Sequence, residues 1–328
     1  MIRLNQRLNF LYLCLAALCL TMPFSVYAQN SWPNKPVKII VPFAPGSATD
    51  IAARIVGQKL SEIWQQQVII ENKPGAGGTL GTNLVAKSPA DGYTLLAHTN
   101  GFVVNSVLYN KLPFDSIKDL TPISPFFSAP FVLIVLPNSG YKSVADLIAA
   151  AKAKPGDLMY STPGIGGAGH FVTEKFRLMA GIEVLHIPNK GAAEAAADLI
   201  SGRVNFIFSP ITTATAFSKE GRVISLGISS AKKSPLLPNV LPINDLGVPA
   251  FNETFWTGLW APAGVPPLVI EKISKEIHQV LAYPEIQERF KTLGAEPMIM
   301  TPKEFSNFVL REQESADKTV KAAGIKME

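Results

Sequence analysis

Four glycine-rich segments carry the residues of this sequence that are best suited to bind a ligand. Each lies between a strand pattern and the start of a helix pattern; they are residues 42–50, 75–79, 163–170 and 189–191. The first turn of a helix presents N–H groups without an intrahelical partner and the positive end of the helix dipole, and glycine lets a ligand approach the backbone. The segments therefore predict an anion site. An ordinary βα turn explains the glycines of any single segment equally well, but polar side chains at the helix starts favour a site: Ser47, Thr49, Thr79 and Asn189.

Residues with the spacing needed for catalysis are not evident. Histidines occur at four scattered positions, and none has the His-x-x-x-His spacing of a zinc helix: His98, His170, His186 and His278. A lone histidine is usually a structural residue, although His170 opens a helix pattern at a glycine segment. Both cysteines precede residue 20, and no Gly-x-Ser-x-Gly nucleophile motif is present. We predict no metal, no cofactor and no enzymatic activity, and an exported hydrolase is the weaker alternative.

One glycine segment matches the dinucleotide-binding pattern Gly-x-Gly-x-x-Gly. Gly164, Gly166 and Gly169 follow a strand pattern, as that motif requires. The next strand pattern, however, ends in Pro188 and Asn189, with no acidic residue to hold a ribose. Dinucleotide binding is therefore not favoured.

Alternating strand and helix patterns surround these segments. Strand patterns cover residues 37–41, 68–70, 94–97, 132–136, 158–161, 184–187, 205–208, 224–228 and 255–260, and the clearest helix patterns cover 50–64, 143–154, 266–281 and 301–324. This alternation predicts βα units and mainly parallel sheets. The proline-rich segment 235–249 has the composition of a linker. We predict two α/β lobes joined by extended crossings near residues 131–137 and 254–262.

The N-terminus has the pattern of a secretory signal. Arg3 and Arg7 precede an apolar run over residues 8–20, and Val26 and Ala28 stand at the positions favoured before a cleavage site. The apolar run is shorter than the roughly 20 residues that span a bilayer. We predict a cleaved signal peptide at residues 1–28 and a periplasmic protein, with a retained anchor as the alternative. The basic residues, 30 against 25 acidic ones, form no stripe, so nucleic-acid binding is not favoured.

Further landmarks occur in a characteristic order. They include Trp32-Pro33, Glu71 through Gly78, Asp91-Gly92-Tyr93-Thr94, Gly164 through His170, His186-Ile187-Pro188, Trp260 through Gly264 and Thr301-Pro302. With these residues, nearly all of the chain after residue 28 resembles the Bug-type (TctC-like) substrate-binding proteins of tripartite tricarboxylate transporters.

The resemblance implies a type II periplasmic binding fold with two lobes, each a mainly parallel sheet flanked by helices, and two hinge crossings. Residues 29–130 plus 258–328 would form one lobe and residues 131–257 the other. The lobes would close over a small organic acid and deliver it to two membrane subunits of a transporter, with the receptor acting as a monomer. The ligand-binding residues carried over by position are Phe43, Gly46, Ser47, Thr49, Asp50, Gly77, Gly78 and Thr99 from the first lobe, and Ser161, Thr162, Gly166, Gly169, His170, Asn189 and Lys190 from the second.

Two departures from the family pattern leave the identity of the acid open. Ser47 stands where the family usually has a second glycine, and Asn189 stands where it usually has a tyrosine. Arg54 and Lys190 are the candidate cations, although Arg54 would equally suit a structural partner of an acid. Aliphatic, amino and aromatic acids all remain open, the last because Phe43, Phe102 and Phe171 could stack on a ring. A sensor that presents the ligand to a membrane receptor is the alternative function.

Overall fold

The computed structural model describes residues 32–109, 111–189 and 191–325. The predicted signal peptide and Lys190 lie outside the described residues. The described residues form ten strands: β1 Val37–Val41, β2 Val68–Asn72, β3 Thr94–Thr99, β4 Leu120–Val135, β5 Met159–Thr162, β6 Leu185–Pro188, β7 Phe206–Pro210, β8 Ile224–Ile228, β9 Thr254–Pro262 and β10 Glu296–Pro297. The α-helices are α1 Ala48–Trp64, α2 Thr79–Ala86, α3 Gly101–Leu108, α4 Val144–Ala153, α5 Ala168–Ala180, α6 Ala192–Ile200, α7 Ile211–Lys219, α8 Pro267–Ala282, α9 Pro284–Thr292 and α10 Pro302–Ala323.

The strands form one continuous sheet in the order β2-β1-β3-β9-β4-β7-β5-β6, and β8 and β10 also pair with β4. We call β1, β2, β3, β9, β10 and the first part of β4 the first half-sheet, and the last part of β4 with β5, β6, β7 and β8 the second half-sheet. Parallel pairs join β1 to β2 and β3, and β5 to β6 and β7. The pairs made by β4 and β9 are antiparallel, so each half-sheet combines parallel βα units with an antiparallel strand that crosses between them.

Strand β4 belongs to both half-sheets. Residues from Leu120 to Pro130 pair with β9, whereas Phe131 to Val135 pair with β7 and β8. The pairing with β9 shifts register near Pro122 and again after Pro125. Proline has no N–H for the ladder, so these irregularities allow a strand of 16 residues to pass through three prolines.

Each half-sheet has its own hydrophobic core. Trp256, Trp260 and Phe305 pack together on the first half-sheet, and all three are fully buried. On the second half-sheet, Tyr160 and Phe206 are also fully buried. In each core, side chains of helices pack against side chains of the strands.

The terminal helix α10 connects the two cores. It begins with a capping box in which Thr301 and Glu304 satisfy each other's backbone N–H groups, and it ends at Gly324 in the left-handed conformation. Its later turns bury Ala316 and Val320 against Phe171 of α5. The helix therefore contacts elements of both half-sheets.

Most predicted elements are present, and one prediction is wrong. Strands β1 and β8 have the predicted bounds, and α1, α8 and α10 begin within two residues of the predicted starts. The proline-rich segment 235–249 does not behave as a linker. Ile243 and Val248 are fully buried in the second core, and a short 3₁₀ helix covers Ile243–Leu246. Tertiary packing of a few apolar side chains overrides the turn-like composition of this segment.

Candidate ligand-binding site

Four helices begin at the edge of one cleft between the half-sheets. The cleft has a volume of about 580 Å³, and its lining includes the first residues of α1, α3, α5 and α6, namely Ala48, Gly101, Ala168 and Ala192. Each of these helices follows a parallel strand, so the four starts lie at carboxyl ends of strands, where open α/β sheets place ligands. Backbone N–H groups and positive dipole ends converge there, which is an environment for an anion.

Two hydroxyl groups in the cleft wall can act as hydrogen-bond donors to a ligand. The Ser47 Oγ caps α1 by accepting from the Asp50 N–H at 3.3 Å. The Thr99 Oγ1 accepts from the Gly101 N–H at 3.0 Å. A hydroxyl that accepts from the backbone keeps its own proton for another partner. Both residues line the cleft, so both protons are available to a ligand.

The remaining wall is apolar or amide in character. Phe43, Ile165 and Phe255 contribute hydrocarbon surface. Asn105 of α3 and Tyr109, directly after that helix, face the 75–78 segment, where the Asn105 Nδ2 donates to the Gly77 carbonyl at 2.7 Å. Among the described lining residues none has a charged side chain. Among the described residues, the donors that face the cleft are therefore neutral.

Asp50 supports the first loop from behind. Its carboxylate accepts from the Gly46 N–H at 2.9 Å, from the Arg54 Nε at about 3.0 Å and from the Asn72 Nδ2 at 2.9 Å. Burial by itself would raise the pKa of Asp50, but the hydrogen bonds from Arg54, Gly46 and Asn72 outweigh it and hold the pKa below its ordinary value. Arg54 is thus paired with Asp50, which was one of the two roles considered for it.

His98 supports the glycine segment of the first half-sheet. Its ring is buried between Phe43 and Phe102, and a Cβ at Gly78 would lie 2.6 Å from the His98 Nε2. Burial lowers the pKa of His98 to about 4, although a hydrogen bond with the Thr99 backbone opposes the shift. The imidazole is therefore neutral, and the close approach of the two groups requires glycine at position 78.

Two stacked histidines support the loop of the second half-sheet. The rings of His170 and His186 have centroids 4.1 Å apart. The His170 Nδ1 accepts from the Gly166 N–H at 3.0 Å, and the His186 Nε2 lies 2.6 Å from the Thr162 Oγ1. Burial lowers the pKa of both imidazoles, that of His186 to about 4. A neutral His170 keeps its Nδ1 lone pair for Gly166, so the low pKa and the loop geometry agree.

The buried carboxylate of Asp198 binds the side chain of Asn189, at the start of the loop that precedes α6. The Asn189 Nδ2 donates to the Asp198 Oδ2 at 2.7 Å and contacts the Ser161 Oγ at 2.5 Å. The Ser161 Oγ also donates to the Asp198 Oδ2 at 3.1 Å. The hydrogen bonds of Asn189 and Ser161, together with Arg203, outweigh the burial that would raise the pKa of Asp198 and keep it low. Asn189 and Ser161 thus fix the loop before α6 from the side that does not line the cleft.

The predicted ligand-binding residues divide into two groups in the structure. Those that line the cleft are Phe43, Ser47, Thr49, Gly77, Thr99 and Gly166. Those outside its lining are Gly46, Asp50, Gly78, Ser161, Thr162, Gly169, His170 and Asn189. Phe102 and Phe171, considered as stacking partners for an aromatic acid, are core residues.

Sequence patterns did not single out several residues of the lining. They are Gly101, Asn105, Tyr109, Ala192 and Phe255. Ala192 has no side-chain chemistry, and only its place as the first residue of α6 could have drawn attention to it. Asn105 and Tyr109 reach the cleft because α3 packs beside the 75–78 segment, which no local pattern encodes.

The fold and the cleft define a class of protein. The solved periplasmic binding protein BugD matches with a TM-score of 0.76 and 31% identity, over 90% of this chain and all of that one. The R. palustris protein Rpa4515, solved with adipate, matches with a TM-score of 0.79 and 32% identity over 90% of this chain and 99% of that chain. MatC from Rhodopseudomonas palustris, with bound malate, matches with a TM-score of 0.75 and 26% identity over 88% of this chain and all of that chain. The fold is thus the two-lobed α/β fold of periplasmic binding proteins.

The sequence match places the chain in one family of this class. The model of the tripartite tricarboxylate transporter family receptor, TctC, matches residues 52–325. The protein BugT of Bordetella pertussis is 33% identical over 302 residues, which is 92% of this chain and 93% of that protein. The chain belongs to the tripartite tricarboxylate transporter receptor family. Within the part of the chain that the structure describes, we find no helix with the length and apolarity needed to cross a bilayer.

Proposed function

We propose that this chain is a periplasmic receptor that captures a small carboxylate in the cleft and delivers it to the membrane subunits of a tripartite transporter. The observation that carries the proposal is the convergence of four helix starts and two donor hydroxyls on a cleft whose described lining has no charge. Neutral donors bind an anion through its oxygens, and the adipate and malate of two relatives are carboxylates.

Capture proceeds by closure of two lobes about β4 and β9. Residues 29–130 plus 258–328 form one lobe and residues 131–257 the other. The binding residues are those that line the cleft, and residues such as Asp50, His170 and Asn189 position their loops. The ligand favours the closed state because only that state lets both lobes contact it.

The chain acts without catalysis, as an exported monomer. The cleft wall offers donors, but its described residues include no histidine, cysteine or carboxylate. Export rests on the signal pattern of residues 1–28, and the exported protein is expected to begin at Gln29. A sensor that presents the same ligand to a receptor kinase uses the same closure, and a neighbouring gene for such a kinase would favour it.

The test is a binding screen on protein purified after export. Thermal shift against a panel of carboxylates, each paired with its neutral amide, is expected to raise the melting temperature only with the acids, because binding to the folded state shifts melting by mass action. The hits are then measured by calorimetry. Stabilisation by amides, sugars or metal ions but by no acid would refute the anion site.

A further inference from the structure

A second compartment adjoins the cleft. It has a volume of about 250 Å³ and shares two wall residues with the cleft, Ala48 and Phe255. It lies where β4, β9 and the start of α7 meet, and Ala129 of β4 is paired with Phe255 of β9 in the sheet. The compartment and the cleft are therefore neighbours that meet at Ala48 and Phe255.

The wall of this compartment is almost entirely hydrocarbon. Phe127, Phe131, Ile211 and Leu293 are typical of it. Among its described lining residues, Thr212 alone has a polar side chain, and none is charged. The adjoining cleft has hydroxyl and amide groups instead. The two spaces thus offer different chemistry to the two ends of one ligand.

Helix α1 faces both spaces with its first turn. Ser47 and Thr49 line the cleft, Ile51 lines the compartment, and Ala48 lies between them. A carboxylate bound by the hydroxyl of Ser47 and the first N–H groups of α1 would direct its carbon chain past Ala48. The anion site and the apolar compartment are therefore one turn of helix apart.

The compartment has the size of a small hydrocarbon group. An apolar cavity of about 150 Å³ in another protein holds a benzene molecule. The volume here, about 250 Å³, is sufficient for an aromatic ring or a chain of several methylenes. Burial of each methylene contributes about 0.8 kcal/mol, which is about a fourfold gain in affinity.

We infer that the ligand of this receptor is a monocarboxylate with an apolar body, whose carboxylate lies at the start of α1 and whose hydrocarbon part fills the compartment behind Ala48 and Phe255. The inference rests on the proposed function and deepens it, since it names the class of acid. A dicarboxylate that enters the compartment would place its second charge against a wall whose described residues offer no polar side chain other than Thr212.

The first test compares ligands that differ only in the body. Hexanoate and adipate have six carbons each and differ by a methyl group in place of a carboxylate. Calorimetry with the exported protein is expected to give tighter binding of hexanoate, by at least tenfold, and affinity rising about fourfold per methylene from propionate to hexanoate. Tighter binding of adipate, or a flat series, would overturn the inference while leaving carboxylate capture intact. Failure of every acid to bind would refute the proposed function itself.

The second test alters the compartment. Ala129→Leu fills part of it and is expected to weaken hexanoate at least tenfold while propionate changes less than twofold. Ala216→Leu, on the exposed surface of α7, is the matched control and should change neither. Equal loss of both acids, or of neither, in Ala129→Leu would count against the inference.

A variant that does not crowd the core guards against misfolding. Thr212 is exposed at the start of α7, and Thr212→Val makes the lining entirely apolar. We expect hexanoate to bind about threefold more tightly and propionate to be unchanged. Weaker binding of hexanoate in this variant would contradict an apolar occupant.

Discussion

The Ser47 hydroxyl has two roles that one pair of variants separates. It caps α1 by accepting from the Asp50 N–H at 3.3 Å, and it donates its proton to the ligand in our proposal. Ser143 caps α4 in the same way, accepting from the Asp146 N–H at 3.1 Å, and it lies outside the lining of the cleft. Both serines are partly buried. Ser143→Ala is therefore a matched control for Ser47→Ala.

Both variants are expected to lose about 1 kcal/mol of stability, the usual effect of removing an N-cap, which lowers the melting temperature by about 2 °C in a chain of this size. Only Ser47→Ala should lose affinity. A hydrogen bond to a charged group contributes about 1.5–3 kcal/mol, so the dissociation constant for a carboxylate should rise about 10- to 150-fold.

The assay combines thermal unfolding without ligand and calorimetric titration with the best acid from the screen. The cap effect is common to both variants and cancels in the comparison. The reasoning would be refuted if Ser47→Ala bound the acid as tightly as wild type, or if Ser143→Ala lost the same affinity. In the first case the hydroxyl is only a cap, and in the second the loss reflects general destabilisation.

Three further predictions concern the support of the loops. Gly78→Ala should lose more than about 2 kcal/mol in urea unfolding, because its φ is +96° and the new Cβ would meet His98, whereas Gly140→Ala, with φ +85° and no neighbour within 4 Å, should lose about 1 kcal/mol. Burial lowers the pKa of His98 to about 4, so the unfolded chain takes up a proton below about pH 6.5 that the folded chain does not. The contribution of His98 to the free energy of unfolding should therefore be complete above pH 6.5 and should fall by about 3 kcal/mol as the pH is lowered to 4. An unfolding midpoint that does not change with pH in this window would contradict the prediction. Asp50→Asn weakens the contact with Gly46 and should lower stability by about 1–3 kcal/mol and weaken acid binding; unchanged stability with tighter binding would mean that the carboxylate opposes the ligand.

Local patterns were sufficient for the parts of the fold that local interactions determine. Strand β1 is apolar at every position except Lys38, and α10 has a capping box at one end and a glycine at the other, so local patterns predict both with nearly correct bounds. Strand β4 was found only from Val132 on, because its earlier half contains prolines that read as strand breaks. That half exists because β9 pairs with it, which is a tertiary fact.

In the candidate site, too, local patterns predict some features, and others depend on tertiary structure. The glycine segments were visible because a helix start needs no tertiary context to present its N–H groups. The stacking of His170 on His186, and the carboxylate of Asp198 behind Asn189, join residues on different elements. Their positioning role emerges only when the second half-sheet is assembled.

Neutral donors suit a receptor that must also release its ligand. A fixed cation in the wall would attract any anion in the open state as well as in the closed one, and would add affinity that closure does not control. The donors of α1 and α3 lie on the first half-sheet, and those of α5 and α6 on the second. A hydrogen bond from one neutral donor to a carboxylate contributes only about 1.5–3 kcal/mol net, so water can replace a single donor without a large loss when the cleft opens. In the proposed mechanism the ligand stabilises closure through its contacts with the second half-sheet, and a transporter subunit that separates the half-sheets would remove those contacts and free the acid.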